Sequence, residues 1–183
     1  MRKLFLLTLL TLASLATSSF AVTPRKSPEF VITLPDGSQK LLSAYRGKVV
    51  VLALMFTTCP HCQKTAGVLA KVQTEYAAKG VQVLGATFDD GAPLRIKEFN
   101  RNLGVNFPCG TSERGPVLEY IGIAPGQPFF VPILVFIDKA GMIRSQYIGD
   151  ERFLQDQEVN IRAEIDKYLK PAGAVTSAIT PKK

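Results

Sequence analysis

Residues that support metal or disulfide chemistry are scarce in this chain of 183 residues, which has three cysteines, one histidine and no tryptophan. A structural zinc site usually takes its ligands from two separated Cys or His pairs, and the spacing here offers no second pair. Three cysteines are also too few for a small fold held together by disulfides. The sequence therefore excludes both kinds of scaffold, predicts no metal site, and leaves the cysteines as candidates for local chemistry.

Long apolar runs are also lacking, apart from one near the N-terminus. Arg2 and Lys3 precede an apolar stretch over 4–16, and small residues follow it up to Ala21. This is the layout of a secretory signal peptide, and the stretch is shorter than the roughly 20 residues that span a bilayer. We therefore expect a signal peptide over 1–21 with cleavage near Ala21, and a secreted or periplasmic protein without stable membrane insertion. A signal retained as a membrane anchor is the alternative.

Runs of basic residues are absent as well, although the formal net charge is +7. The Lys and Arg residues are scattered among acidic residues and are not interleaved with aromatic side chains. This pattern indicates a soluble surface and not a nucleic-acid interface. We therefore expect no nucleic-acid partner, and a monomer whose partners are proteins.

Apolar runs and helical periodicities alternate along the chain and predict one domain over 22–170. The run over 48–56 is apolar and rich in β-branched residues, which is typical of a strand buried on both faces. Asp36-Gly37 is a strong hairpin signal between two short strands. The pattern predicts an α/β fold, with a central mixed β-sheet flanked by helices and an N-terminal β-hairpin. The predicted strands include 30–34, 48–56, 81–88, 131–138 and 142–148, the predicted helices follow Cys59 and Gly91 and cover 151–170, and the ends, 22–29 and 171–183, are predicted to be mobile.

A Cys-Pro-His-Cys motif follows the central strand and opens the first predicted helix. Unpaired N–H groups and the macrodipole at a helix N-terminus stabilise a thiolate, so Cys59 is the candidate nucleophile. Cys62 lies one helical turn further on the same side and is the candidate resolving thiol in thiol–disulfide exchange. Pro60 suits the first turn of a helix, and His61 beside Cys59 stabilises the thiolate by charge or by a hydrogen bond. We interpret Cys59 and Cys62 as catalytic, and Pro60 and His61 as residues that tune the thiol pKa.

Each feature also has a simpler interpretation. For the Cys-Pro-His-Cys motif, the alternative to redox chemistry is a structural disulfide or a chance spacing. A Cys-x-x-Cys motif beside a βαβ pattern favours redox chemistry. Cys109 is either a third redox-active thiol or a buried residue acting as a small apolar side chain, and we favour the second. The pair Asp89-Asp90 is either an acidic functional site or a loop that caps the next helix, and we favour the cap.

Three stretches carry a family resemblance: Asp36-Gly37, then Leu42-Ser43 with Tyr45-Arg46-Gly47-Lys48-Val49-Val50, and Phe56-Thr57-Thr58-Cys59-Pro60-His61-Cys62-Gln63. They resemble the TlpA/ResA-like branch of the thioredoxin superfamily, which is related to the redoxin and peroxiredoxin group. The resemblance covers residues 28–170 and implies a thioredoxin-like fold and a thiol-disulfide oxidoreductase that acts on protein substrates without a cofactor. It also implies that Pro132 is cis, in a loop facing the active-site disulfide, and that the backbone at Val131 pairs with an extended substrate segment. It suggests cytochrome c maturation, while apocytochrome thiols, another oxidoreductase and misfolded exported proteins all stay open as partners.

Two positions depart from that family. Thr65 stands where ResA-like reductases often carry a glutamate thought to assist proton transfer, and Ala53 stands where thioredoxins place a buried aspartate. We therefore expect no carboxylate near the cysteines that would oppose a thiolate or relay a proton. The Pro-His dipeptide is instead similar to that of the disulfide-donating DsbA proteins, which favours a couple more oxidising than thioredoxin.

Two other classes of thiol protein share part of the motif. Peroxiredoxins also carry Thr and Pro around a reactive cysteine, but they set Pro and Thr where this chain has Leu52 and Phe56. Sco-type copper proteins share Thr-Thr-Cys-Pro, and their thiolates suit Cu(I), but they use a wider Cys spacing and a downstream histidine. A peroxiredoxin-like thiol peroxidase and a Sco-like copper-binding protein are therefore the alternatives to an oxidoreductase.

Overall fold

The fold is that of a computed structural model, which describes residues 24–170. Within this range the strands form one sheet in the order β1-β8-β7-β4-β5-β6-β2-β3. The strands are β1 Arg25–Lys26, β2 Val31–Thr33, β3 Gln39–Leu41, β4 Val49–Met55, β5 Val81–Thr87, β6 Cys109–Thr111, β7 Ile133–Ile137 and β8 Met142–Ile148. The helices are α1 Pro60–Tyr76, α2 Ala92–Asn102, α3 Arg114–Ile121, α4 Glu151–Gln155 and α5 Gln157–Leu169. The predicted signal peptide, 1–21, and the predicted tail, 171–183, lie outside the described residues.

The centre of the sheet is β4, as the apolar run predicts, and all seven of its residues are buried. It pairs in parallel with β5 and antiparallel with β7, so the sheet is mixed. The parallel register aligns Met55 with Thr87, which brings the loops after β4 and β5 to the same edge of the sheet. That edge carries the Cys-Pro-His-Cys motif.

Successive side chains of β4 point into two different cores, because residues alternate between the faces of a sheet. Val51 and Met55 pack in a core that includes side chains of α1, α2 and α5. Val50 and Leu54 pack in a second core with the β2–β3 hairpin and α3. Helices therefore lie on both faces, and the predicted architecture is confirmed.

Helix α1 has the apolar face that its sequence predicts, with Leu69, Val72 and Tyr76 buried. A short 3-10 turn extends it over Ala77–Lys79, and Gly80 then takes a left-handed conformation with φ of 85°. A residue with a Cβ rarely adopts this conformation, so glycine gives the helix a sharp end before β5.

The prediction of a mobile segment over 22–29 is wrong for its described part. Arg25 and Lys26 form β1 and pair with β8, and the Ser27 hydroxyl hydrogen-bonds the Tyr120 hydroxyl at 2.8 Å. Polar and proline-rich composition concealed this edge strand, because its stability comes from a distant partner strand.

Three other elements differ from those predicted from the sequence. The helix predicted over 151–170 is two helices, because the backbone at Asp156 leaves the helical region with φ of −113° and ψ of 43°. Strand β6 and helix α3, between α2 and β7, were not predicted. Strand β6 has only three residues and contains a glycine, so it carries no clear apolar alternation.

Cys109 is buried in β6, with 2% of its surface exposed. It lies opposite Gly85 of β5, where a Cβ would come within 2.6 Å of the Cys109 sulfur. Burial raises the pKa of this thiol to about 12, so at neutral pH the nucleophilic thiolate is disfavoured. The burial agrees with the interpretation of Cys109 as a small apolar residue.

Replacing Cys109 with serine is expected to lower the free energy of unfolding by about 1–3 kcal/mol, because a hydroxyl is costlier to bury than a thiol. Urea unfolding under reducing conditions measures this loss, and Cys109→Ala, which stays apolar, is the matched control with a smaller expected loss. Both variants are expected to exchange disulfides at the wild-type rate. A loss of exchange in Cys109→Ala would show instead that Cys109 takes part in the chemistry.

Candidate active site

Cys59 lies at the junction of β4 and α1, as the motif predicts. It is the N-cap residue, in an extended conformation, and Pro60 is the first residue of the helix. The N–H of Gln63 donates to the Cys59 carbonyl at 3.0 Å, which closes the first turn. The Cys59 side chain makes no capping hydrogen bond and is half-buried, so its sulfur sits at the positive end of a 17-residue helix and is accessible for reaction.

Cys62 has a different environment, since its side chain is fully buried. Its sulfur accepts a hydrogen bond from the N–H of Phe56 at 3.5 Å. Burial raises the pKa of the Cys62 thiol, and the nearby Cys59 and Asp89 act in the same direction. The two cysteines of the motif therefore differ as expected, with one accessible and one protected.

The loop before β7 approaches Cys59 from the other side. The Val131–Pro132 peptide bond is cis, which confirms the geometry that the resemblance implies. The Cys59 sulfur lies 3.9 Å from the Val131 carbonyl oxygen, and the thiol donates to it. The structure thus brings together Cys59, Cys62 and Val131, although neither composition nor periodicity predicts the contact between Cys59 and Val131.

The pair Pro60 and His61 lies on the outer surface of the first turn of α1, where both residues are exposed. Among the side-chain hydrogen bonds of residues 24–170, none joins the His61 ring to Cys59. An effect of His61 on the thiol therefore has to act through charge, and it stays a prediction.

A groove of about 610 Å³ borders the motif and the cis-proline loop. Helix α1 supplies one wall and α4 the other, and Phe130 lies at its edge with 73% of its surface exposed. The lining residues include His61, Lys64, Phe130, Val131, Glu151 and Leu154. Its walls thus carry both apolar and charged groups.

Asp89 has a role that was not predicted from the sequence. The N-cap of α2 is Gly91, and no side chain caps that helix, so the interpretation of Asp89-Asp90 as a helix cap is wrong. The Asp89 carboxylate instead accepts from the Thr57 N–H at 2.7 Å and from the Thr57 hydroxyl at 2.6 Å. Thr57 and Asp89 each lie two residues beyond the aligned pair of β4 and β5, so the parallel register of these strands brings them together.

Arg95 completes this cluster. Its Nη2 donates to Asp89 at 2.7 Å, and its Nε donates to the Thr57 hydroxyl at 2.8 Å. Burial alone would raise the pKa of Asp89, but the hydrogen bonds from Thr57 and Arg95 outweigh it and hold the pKa below its ordinary value. A carboxylate that is charged at neutral pH therefore lies beside the loop that leads to Cys59, and the expectation that no carboxylate is near the cysteines is wrong.

The position of the family's glutamate is occupied by an uncharged pair. Thr65 is fully buried, and its hydroxyl contacts the His61 carbonyl at 2.9 Å and the Gln157 side-chain oxygen at 2.6 Å. This contact joins α1 to the first residue of α5. The Thr65 and Gln157 side chains supply no group that would accept a proton at neutral pH.

Comparisons with known proteins agree with this geometry. Residues 24–161 match the family model of Redoxin. The thiol-disulfide oxidoreductase ResA of Bacillus anthracis is 27% identical over 146 residues, which are 80% of this chain and 76% of that protein. The thiol-disulfide oxidoreductase ResA of Geobacillus thermodenitrificans is 29% identical over 124 residues, which are 67% of each chain.

Solved structures share the fold at lower identity. A thiol:disulfide interchange protein of the thioredoxin family from Chlorobium tepidum superposes with a TM-score of 0.68 at 18% identity, over 81% of this chain and 99% of that one. A thiol:disulfide interchange protein from Bacteroides sp. superposes with a TM-score of 0.65 at 19% identity, over 84% of this chain and 94% of that one. These similarities confirm the thioredoxin-like fold.

Proposed function

Because the chain belongs to the redoxin family, we propose that it is an exported thiol-disulfide oxidoreductase that exchanges disulfides with protein substrates through Cys59 and Cys62. The enzyme class is that of its ResA relatives. The observation that carries the proposal is the contrast between the two thiols. Cys59 is accessible at a helix N-terminus, whereas Cys62 is buried one turn further along the same helix.

The contrast supports a two-step exchange. The Cys59 thiolate attacks one sulfur of a substrate disulfide, forms a mixed disulfide and releases the other substrate sulfur as a thiolate. Cys62 then loses its proton to solvent and attacks the Cys59 sulfur. This step forms the Cys59–Cys62 disulfide and releases the second substrate thiolate, which takes up a proton. The reverse sequence oxidises a substrate dithiol with the same atoms.

The cis-proline loop and the groove support docking of an extended substrate segment. The Val131 carbonyl faces the Cys59 sulfur, so a chain that pairs with this backbone would present its own sulfur to Cys59. Phe130 adds an exposed apolar surface beside it. We expect protein substrates to use this surface and small disulfides to do without it.

Replacing Phe130 with serine is therefore expected to raise KM for a protein substrate by about tenfold, because burying a phenylalanine contributes roughly 1.5–3 kcal/mol. The rate with glutathione disulfide should stay unchanged. Steady-state kinetics with a reduced, unfolded exported protein give the KM for a protein substrate. The same assay with glutathione disulfide gives the rate for the small substrate. Val159→Ser, an exposed apolar residue of α5 with 67% of its surface exposed, is the matched control, and equal effects of the two variants would contradict docking at Phe130.

Export rests on the sequence pattern of residues 1–21. We expect signal cleavage near Ala21 and a monomeric protein in the secreted or periplasmic fraction. N-terminal sequencing of the protein recovered from that fraction tests this part of the proposal. A chain that still begins at Met1 and sediments with membranes would favour the anchor.

The enzymatic part is tested with the purified wild-type protein and Cys59→Ser. The wild type is expected to reduce insulin disulfides when dithiothreitol is supplied, and Cys59→Ser is expected to be inactive. Two further assays test the alternatives, since a peroxidase would consume hydrogen peroxide and a copper protein would bind Cu(I) tightly through the reduced thiols. Insulin reduction that survives in Cys59→Ser would overturn the proposed role of this residue.

A further inference from the structure

Cys62 and Asp89 are held by neighbouring backbone amides. The N–H of Phe56 donates to the Cys62 sulfur at 3.5 Å, and the next N–H, that of Thr57, donates to Asp89 at 2.7 Å. Consecutive amide nitrogens are less than about 4 Å apart, because one residue separates them. A buried thiol and a carboxylate therefore share one short stretch of backbone, and the charge of one bears on the ionisation of the other.

Cys62 and Asp89 lie where little water screens the charge of the carboxylate. The Asp89 side chain is only 9% exposed, whereas the Arg95 side chain that pairs with it is 40% exposed. Electrostatic interactions are stronger where water is excluded than at the surface. The carboxylate thus contacts Arg95 on one side and the active-site loop on the other, and Arg95 offsets part of its charge.

Within residues 24–170, Cys62 belongs to a core of buried apolar side chains. From its own helix the Cys59 thiol is adjacent, and His61 and Lys64 lie on the exposed side. Helix α5 contributes the uncharged Gln157, which contacts Thr65 one turn after Cys62, and Val131 of the cis-proline loop packs against the core that contains Cys62. Burial, the Cys59 thiol and the Asp89 carboxylate all raise the pKa of the Cys62 thiol.

We propose that the Asp89–Arg95 ion pair sets the rate at which Cys62 resolves the mixed disulfide. This inference rests on the proposed function, in which Cys62 is the resolving thiol. In that step the Cys62 thiol gives its proton to solvent, the thiolate attacks the Cys59 sulfur, and the bond between Cys59 and the partner sulfur breaks. Asp89 opposes formation of the thiolate and slows the step, whereas Arg95 favours the thiolate and accelerates it. Asp89 and Arg95 are positioning residues, because they affect the reaction through their effect on Cys62.

The test is stopped-flow reaction of the reduced protein with dithiobis(nitrobenzoate), which releases one coloured thiolate when Cys59 attacks and a second when Cys62 resolves the adduct. The second phase is independent of reagent concentration and reports the resolving step alone. Asp89→Asn keeps an oxygen for the Thr57 N–H but removes the charge. If the thiolate fraction of Cys62 rises about tenfold and its nucleophilicity falls about threefold, the second phase becomes about threefold faster near pH 7.

Arg95→Met is expected to change the same phase in the opposite direction, to about one third of the wild-type rate, because Asp89 is then unpaired. Over about pH 5–9 the rate profile should shift to lower pH in Asp89→Asn and to higher pH in Arg95→Met. A purely structural role predicts that both substitutions slow the step, since both loosen the hydrogen bonds on Thr57. Asp90→Asn, which removes the neighbouring exposed charge, is the matched control and should match the wild type.

The outcomes separate the two proposals. A wild-type protein that shows no second phase would contradict Cys62 as the resolving thiol, and with it the proposed function. A normal second phase that changes in the same direction in Asp89→Asn and Arg95→Met, or in neither, would overturn the role of the ion pair alone. Thermal unfolding of each variant shows that the comparison is made between folded proteins. If Arg95→Met does not fold, the direction of the change in Asp89→Asn still decides, and if Asp89→Asn does not fold, Asp89→Ser, which also removes the charge, takes its place.

Discussion

Replacing Cys62 with serine is expected to leave the protein covalently attached to its substrates, whereas replacing Cys59 with serine should leave it free and inactive. The reason is that, in the proposed exchange, Cys59 forms the mixed disulfide and Cys62 releases it. The adduct is measured on non-reducing gels of the secreted or periplasmic fraction, followed by mass spectrometry of the trapped partner. The expected effect is large, because a mixed disulfide that turns over transiently in the wild type becomes a main species in Cys62→Ser.

The double variant Cys59→Ser with Cys62→Ser is the control for attachment through Cys109. It should form no adduct, because Cys109 is buried. An adduct that accumulates in Cys59→Ser and not in Cys62→Ser would reverse the roles of the two cysteines. Identification of the trapped partner would also decide between apocytochrome thiols, another oxidoreductase and misfolded exported proteins.

The Cys59–Cys62 couple is expected to be more oxidising than thioredoxin, with a reduction potential above roughly −230 mV against about −270 mV for thioredoxin. Stabilising the Cys59 thiolate favours the dithiol over the disulfide and so raises the potential. We expect the start of α1 and the adjacent His61 to supply this stabilisation. The Asp89 carboxylate disfavours a thiolate at Cys62, but its charge is paired with that of Arg95. We therefore still expect a reduction potential above that of thioredoxin.

His61 is the residue whose contribution is easiest to isolate. His61→Pro is expected to lower the potential by roughly 20–40 mV, which corresponds to losing about 1–2 kcal/mol of thiolate stabilisation. Proline is compatible with the first turn of a helix, so the fold should tolerate it, and His61→Gln is the control that keeps the backbone N–H. Equilibration with glutathione at defined ratios gives the potentials, and a wild-type value at or below that of thioredoxin would defeat the expectation.

The central part of the site could be predicted from local sequence alone. Seven consecutive apolar residues make β4 evident in the sequence, and a Cys-x-x-Cys that follows such a strand and opens a helix is typical of redox chemistry. The burial of Cys62 follows from its place one turn inside α1. These features depend on residues that are close together in the chain, and such local patterns can be recognised in the sequence.

The rest of the site depends on contacts between distant segments. The approach of Val131 to Cys59 joins residues 72 positions apart, and only the family resemblance indicated it. The contact of Thr57 with Asp89 depends on the parallel register of β4 and β5, which apolar periodicity does not specify. An acidic pair before a helix fits a cap and a tertiary contact equally well, so the local interpretation was wrong.

The short strands β1 and β6 were also not predictable from local sequence. Strand β1 has two residues and β6 has three, and neither carries enough alternation to be recognised. Each is held by hydrogen bonds to a longer strand, β1 to β8 and β6 to β5. Elements that are stabilised by pairing and not by their own pattern become visible only when the fold is known.

Disulfide mapping of the wild-type protein in glutathione buffers of increasing oxidation tests whether Cys59 and Cys62 form a single redox couple. Free thiols are alkylated at each ratio, and the protection of each cysteine is read by mass spectrometry. We expect Cys59 and Cys62 to become protected together in one two-electron transition, as a disulfide with each other, while Cys109 stays a free thiol throughout. Independent transitions of Cys59 and Cys62, or a disulfide that includes Cys109, would contradict it.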